Sequence, residues 1–146
     1  RNRDSIHKHF EARLILEPEI AALAAERITD DELRSMEQNI KRQTNTPESE
    51  VVLIICADIE FHCLLADSVK NETISMLMNS LAKISFHGWK AAMRVKGRNK
   101  TAVLEHTKLL NMLAKRDQDG ARLAMREHML ESIIRLKNQG LNLKID

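Results

Sequence analysis

Three histidines and one aspartate sit where a helical sequence should carry apolar side chains. At about 100° per residue, Val51, Ile55, Asp58, His62, Leu65 and Val69 fall along one line of a helix, with Asp58 and His62 in its middle. An i, i+4 pair projects from one face about 6 Å apart along the axis, close enough to share one metal ion. His106 lies among Ala102, Val103, Leu109, Leu110 and Leu113, and His128 among Ala121, Ala124, Met125 and Ser132, so each again occupies an inward stripe. Neutral imidazole with carboxylate is a nitrogen and oxygen donor set suited to a divalent metal.

Each residue alone has a plainer account. Asp58 and His62 can form an interior hydrogen bond, and a single core histidine is ordinarily just hydrogen-bonded. Together, three imidazoles and a carboxylate on apolar stripes would bear a desolvation cost on the order of several kcal/mol if unpaired. A divalent cation removes that conflict; a closed hydrogen-bond network is the alternative. The expected ion is Zn²⁺ or Ni²⁺, with Mn²⁺, Fe²⁺ and Co²⁺ left open by the order of affinities.

Other polar residues are read against the same stripes. Arg13 and Glu17 share a line with Phe10, Leu14, Ala21 and Ala24, so Arg13 either pairs with Glu17 or reaches a bound carboxylate ligand; the two are compatible. Trp89, at the edge of the stripe of Ile74, Leu77, Met78, Leu81 and Ser85, is either core or the wall of a ligand pocket. His7, His9 and His87 fall beside or opposite their stripes and are expected at the solvated surface. Met76, Met78, Met93, Met112, Met125 and Met129 are expected as adaptable packing.

The elements that must carry these residues are helices. The chain has 146 residues with four Gly, two Pro, three Phe and no Tyr, and is rich in strong helix formers, so an all-α fold is expected. Helix signals divide it into about six segments. The first spans about 4–27, with a kink or short break expected near Leu16 to Pro18. Thr29-Asp30-Asp31-Glu32 is a capping box opening the second, to about Gln43. Thr46 as N-cap and Pro47 at N1 open the third, to about Ser68. Asn71 caps the fourth, which Gly97-Arg98-Asn99 ends after about Val95. The fifth spans about 100–116, and Asp117 caps the sixth, to near Gly140. Short connections predict an antiparallel up-and-down bundle with a central cavity.

Composition excludes several classes. Lys and Arg number 23 against 21 Asp and Glu, a formal net charge of +2 that is too balanced to hold nucleic acid by phosphate neutralisation. No run of eighteen apolar residues exists, so no membrane span is expected. Cys56 and Cys63, seven apart on one helix, lie about 10 Å apart, too far to bridge, and read as free thiols of a reducing, cytoplasmic compartment. The chain is long enough to fold as one domain, residues 1–146, without a structural metal. It opens without an initiator Met, so a further upstream domain is expected.

Arg13 followed by Leu16-Glu17-Pro18 and Leu23-Ala24-Ala25-Glu26-Arg27, then Asp58-x-x-Phe61-His62, Asn71, Glu105-His106 and Ala121 to His128-Met129, resembles one family throughout. The chain is similar to the FadR C-terminal (FCD) domain, the effector-binding half of GntR-type transcription regulators of the FadR branch. The resemblance implies a bundle of six or seven helices that follows a winged helix-turn-helix domain, with Asp58, His62, His106 and His128 holding a metal. It further implies a small organic acid completing the coordination and meeting Arg13, a homodimer, and DNA contact only through the winged helix that these residues lack. Acyl-CoA-binding members lack this ligand set, which argues against such an effector. Two other functions compete. A mononuclear metal-dependent hydrolase would also use open metal positions. A ferritin-like di-iron site is excluded because no Glu stands three residues before any His. A metal-free structural or dimerisation bundle is the second rival.

Overall fold

The computed structural model describes the backbone of residues 2–92 and 97–138 and the side chains of 6–84, 86 and 97–138. Six α-helices account for nearly all of it: α1 (Asn2–Arg27), α2 (Asp30–Asn45), α3 (Val51–Asp67), α4 (Glu72–Ala92), α5 (Arg98–Ala114) and α6 (Gln118–Asn138). No strand occurs among the described residues, in keeping with a composition poor in aromatics and β-branched runs.

Most helix boundaries follow from local chemistry. The capping box forms in both directions: Glu32 N donates to Thr29 Oγ1 at 3.2 Å and Thr29 N donates to Glu32 Oε2 at 2.8 Å. Asn71 Oδ1 accepts from Thr73 N and Ile74 N, and Asp117 Oδ1 accepts from Gly120 N, closing the starts of α4 and α6. Two boundaries differ from expectation. Thr46 does not cap α3; its amide bonds Gln43 O and its hydroxyl bonds Arg42 O, so it ends α2. Pro47 then enters a turn closed by Glu50 N to Pro47 O at 2.9 Å, and α3 starts at Val51 with no side-chain cap. Gly97 is left-handed, as a helix exit asks, with φ 79°, but it is the N-cap of α5, which begins two residues early at Arg98. No break occurs at Pro18, through which α1 runs as one helix.

The packing order departs from a simple chain of neighbours. α3 packs on α4, α5 on α6 and α2 on α3, but the main partner of α1 is α6, and α1 also touches α3, α4 and α5. α1 is therefore the central rod and is buried on several sides, with Phe10, Ile20, Ala21, Ala22, Ala24 and Ala25 all in the core. The larger core cluster joins all six helices around Phe61, Met36, Leu109, Leu113, Met125 and Met129, with Met78 as the buried residue from α4. A smaller one gathers Phe10, Ile54, Ile55, Ile133 and Leu136. α4 is peripheral, which leaves Met76 and Leu77 exposed where they were expected to pack. No helix of the described residues is long and apolar enough to cross a membrane.

Thr29→Ala removes one half of the capping box and should lower stability by about 1 kcal/mol. Urea unfolding checks this, and an unchanged midpoint would mean that the cap adds nothing net.

Candidate metal centre

The bundle brings Asp58 and His62 of α3, His106 of α5 and His128 of α6 to one interior point. All four are at most 3% exposed, and one ligand atom from each lies within 4.8 Å of the others. His62 Nε2 and His128 Nε2 are 3.4 Å apart, and His106 Nε2 is 3.5 Å from Asp58 Oδ1. Phe61, fully buried, stacks on the His106 ring with centroids 4.0 Å apart, fixing its plane.

What aims the imidazoles is a second set of residues behind them. His62 Nδ1 meets Glu17 Oε2 on α1; His106 Nδ1 meets Gln43 Oε1 on α2 at 2.9 Å; His128 Nδ1 meets Glu105 Oε2 on α5 at 2.6 Å. Each partner is an acceptor, so each Nδ1 carries the proton and each Nε2 keeps its lone pair. The Gln43 amide is itself oriented, because its Nε2 donates to Asn39 Oδ1 at 2.6 Å, leaving Oε1 for the histidine. Glu17 is gripped from its other side by Arg13 Nε, and Glu105 by Arg135.

The electrostatics agree. Burial opposes the Glu17 carboxylate, but Arg13 and His62 outweigh it and hold the carboxyl well below its usual range. Burial likewise opposes Glu105, and hydrogen bonds from His128 and Arg135 bring it down to about 2. Burial, reinforced by His128 and His62, pushes His106 well below 6.5; burial also lowers His128, against the pull of Glu105.

This leaves a conflict at the centre. Three Nε2 lone pairs and a carboxylate face one another with no hydrogen to share. Both Asp58 oxygens and His106 Nε2 are buried without a hydrogen-bond partner. An acceptor is supplied at every Nδ1, and no donor reaches either Asp58 oxygen or His106 Nε2. A closed hydrogen-bond network does not account for that arrangement, whereas the donor set fits a divalent cation. Beside Asp58 and His62 lies a small cavity of about 10 Å³, walled by Arg13 and by Ile59, Met78, Leu81 and Ala82.

Of the residues singled out from sequence, Asp58, His62, His106, His128, Arg13 and Glu17 thus meet in one place. The Trp89 side chain and that of His87 lie outside the described residues. His9 departs from expectation: it is buried, edge-on to Phe10 with centroids 5.8 Å apart, because central α1 is covered on more than one side. Gln43 and Arg98 were missed. Gln43 falls in register with Met36, Asn39 and Ile40, a stripe that the reasoning applied to the histidines would have flagged. Arg98 is 6% exposed and donates from Nη2 to Ser132 Oγ at 3.1 Å, and Ser132 Oγ in turn donates to His128 O. Glu105 points away from His106, as its adjacent position requires, but toward His128.

An all-α bundle with an inward cluster of three histidines and an aspartate defines the class, and the chain belongs to the FCD domain family, matching it over residues 8–131. It is similar to two curated proteins of Bacillus subtilis (strain 168). One is the uncharacterised HTH-type transcriptional regulator YcbG, 31% identical over 127 residues, 86% of this chain and 52% of that protein. The other is the HTH-type transcriptional regulator LutR, 28% identical over 132 residues, 87% of this chain and 60% of that protein. The chain thus spans about half to three-fifths of the length of these relatives. Among solved structures, a Streptococcus agalactiae GntR superposes with a TM-score of 0.78 at 24% identity, over 92% of this chain and 60% of that one, and shares the fold. Both curated relatives are HTH-type transcriptional regulators by name, which favours the regulator reading over the rival metal-dependent hydrolase.

The buried histidines set the acid response of the metal-free protein. Below 6.5 the unfolded chain takes up protons at His9, His106 and His128, while the fold resists them; burial and Arg13 bring His9 down to about 4. Stability therefore rises with pH across this window and is lost progressively as pH falls below 6.5. Glu17 and Glu105, both lowered by their partners, lose their contribution only under more acid conditions. Thermal melts of metal-free protein at about pH 7.5 and about pH 5.5 should differ by several degrees, lower at the acid end. A flat or inverted response would mean that the inward nitrogens accept protons freely in the fold.

Proposed function

We propose that this chain is the sensing domain of a GntR-type regulator that holds a divalent metal at Asp58, His62, His106 and His128 and binds a small organic acid there. The observation that carries the reading is the proton placement: every Nδ1 is held by Glu17, Gln43 or Glu105, and every Nε2 faces inward beside an unpartnered Asp58. When bound, a divalent ion with four protein ligands supplies open coordination positions for carboxylate or hydroxyl oxygens. Zn²⁺ and Ni²⁺ suit the donors best, with Mn²⁺, Fe²⁺ and Co²⁺ as alternatives.

The chain's own residues orient the acid. Arg13, fixed by Glu17, lines the cavity next to Asp58 and His62 and offers a guanidinium fork to a carboxylate. The cavity, about 10 Å³, has room for about one water. An acid of several heavy atoms exceeds it, so entry requires the wall contributed by Met78, Leu81 and Ala82 of α4 to move. An effector that fits only the widened arrangement shifts the equilibrium toward it through differential affinity. In the full regulator, a homodimer with an upstream winged-helix domain in the cytoplasm, that shift would change operator binding. Residues 1–146 form the effector-binding domain of such a protein and make no DNA contact themselves.

Elemental analysis of protein purified without chelator should find a stoichiometric metal, and chelation should lower the melting temperature by several degrees. Calorimetric titration of zinc-loaded protein with malate or lactate should lose affinity after His106→Ala or His128→Ala, and undiminished affinity after either would defeat the metal-centred reading.

Glu17→Gln keeps the shape but removes the charge behind His62. It should weaken zinc binding by about 10–100-fold in a competition titration with a chelating dye.

A further inference from the structure

Of the groups that hold the imidazoles from behind, Gln43 is the one that could be turned round. Glu17 and Glu105 are carboxylates kept ionised by their partners, so His62 Nδ1 and His128 Nδ1 can only donate to them. An amide presents an oxygen or, rotated by half a turn, an NH2 group. If Gln43 offered its Nε2, His106 Nδ1 would have to accept. Burial, with His128 and His62 beside it, holds His106 well below 6.5, so near neutral pH the ring carries one proton, and that proton would move to Nε2.

In the metal-free protein that alternative has an attraction of its own. His106 Nε2 lies 3.5 Å from Asp58 Oδ1, and neither atom has a hydrogen-bond partner. A proton on Nε2 would join the two in a plain histidine–aspartate hydrogen bond and occupy the lone pair that a cation needs. The amide must therefore be held against that gain.

Asn39 supplies the hold. It is fully buried on α2, one turn before Gln43, and its Nδ2 hydrogens go to Ala57 O at 3.0 Å and to Glu60 Oε2 at 3.1 Å. A backbone carbonyl and a carboxylate that also takes Arg42 offer only acceptors, so Asn39 faces them with its nitrogen and faces Gln43 with its oxygen. Gln43 Nε2 donates to that oxygen at 2.6 Å and reaches Ala57 O at 3.4 Å. Turning Gln43 alone would set its oxygen against Asn39 Oδ1 and forfeit the bond to Ala57. Turning both amides would set Asn39 Oδ1 against Ala57 O and Glu60. The Gln43 backbone is pinned as well, because its carbonyl accepts from Asn99 Nδ2 at 2.7 Å, on the helix that carries His106.

We infer that Asn39 is a positioning residue that acts through Gln43: it keeps the His106 proton on Nδ1 and so prevents His106 and Asp58 from bonding to each other. The proton placement stands on these polar contacts alone. Its use, a lone pair kept open for a cation, rests on the metal reading above.

Nitrogen-15 NMR of the histidine rings, on metal-free protein at about pH 8, reads the position of the proton. Wild-type His106 should carry it on Nδ1. Asn39→Leu and Asn39→Ala should each move it largely to Nε2, leave His62 and His128 as they are, and weaken zinc binding by about 10-fold or more in a competition titration. Adding Gln43→Glu to Asn39→Leu replaces the reversible amide by a group that only accepts, and should return the proton to Nδ1. A purely structural role for Asn39 would lower stability without moving the proton, which overturns the inference. So does a wild-type His106 already protonated on Nε2, or a double variant whose proton stays there. A proton that moves with zinc affinity unchanged overturns the use assigned to the placement. Wild-type protein that keeps the proton on Nδ1 but takes up no zinc defeats the metal reading and leaves the placement standing. Should one Asn39 variant not fold, the other and the wild-type spectrum decide on the same criteria.

Discussion

Four lone-pair donors turned toward one another, with no proton among them, are the constraint around which this bundle is arranged. Left alone, Asp58 and the Nε2 atoms of His62, His106 and His128 repel, and their burial removes the water that would relieve them. The fold tolerates this because each imidazole is anchored from behind. Glu17, Gln43 and Glu105 each accept one N–H, and Arg13, Asn39 and Arg135 in turn hold those acceptors. Replacing buried charged groups with apolar side chains of similar volume is often neutral or stabilising. Retaining a strained polar centre within the core makes physical sense if the strain is released by something that binds.

The anchoring network also sets which parts of the molecule feel the centre. The inward atoms come from α3, α5 and α6, and their supports come from α1, α2 and α5, so five of the six helices are tied to one point. α1 matters most, because it packs along α6, touches α3, α4 and α5, and carries both Arg13 and Glu17. A change of charge or geometry at the centre therefore reaches the packing of the whole bundle through short, stiff polar links. This is the kind of element that can have two arrangements separated by a modest free energy.

The sequence makes the inward cluster legible because α3, α5 and α6 each bury one face, so a polar residue on the apolar line stands out. The same reasoning fails for α1, which is covered on several sides: His9, read as solvated, lies in the core. Helix starts were the other weak point. Thr46-Pro47 looks like a cap and first turn, yet it ends α2, since the Thr46 hydroxyl reaches back to Arg42 O. By sequence, Gly97 reads only as the stop of α4, which makes Arg98 and Asn99 turn residues. In the fold they are the first residues of α5, and both are buried. Arg98 was invisible for that reason, because its inward position depends on a boundary two residues earlier than composition suggests. Supporting residues such as Gln43 and Glu105 are legible only in part, since their role depends on which helix lies opposite.

α4 stands apart from this polar construction. Its described contributions to the cavity, Met78, Leu81 and Ala82, are apolar, and the helix rests on α3 and α1 alone among its larger contacts. Under the proposed function, the chemistry of recognition and the room available to the recognised molecule are encoded on different rods. Substitutions on one peripheral helix can redraw the size and shape that the domain accepts while the histidines, their carboxylates and the arginines stay as they are. A scaffold divided in this way would let the shape of the cavity change in small steps without dismantling its centre.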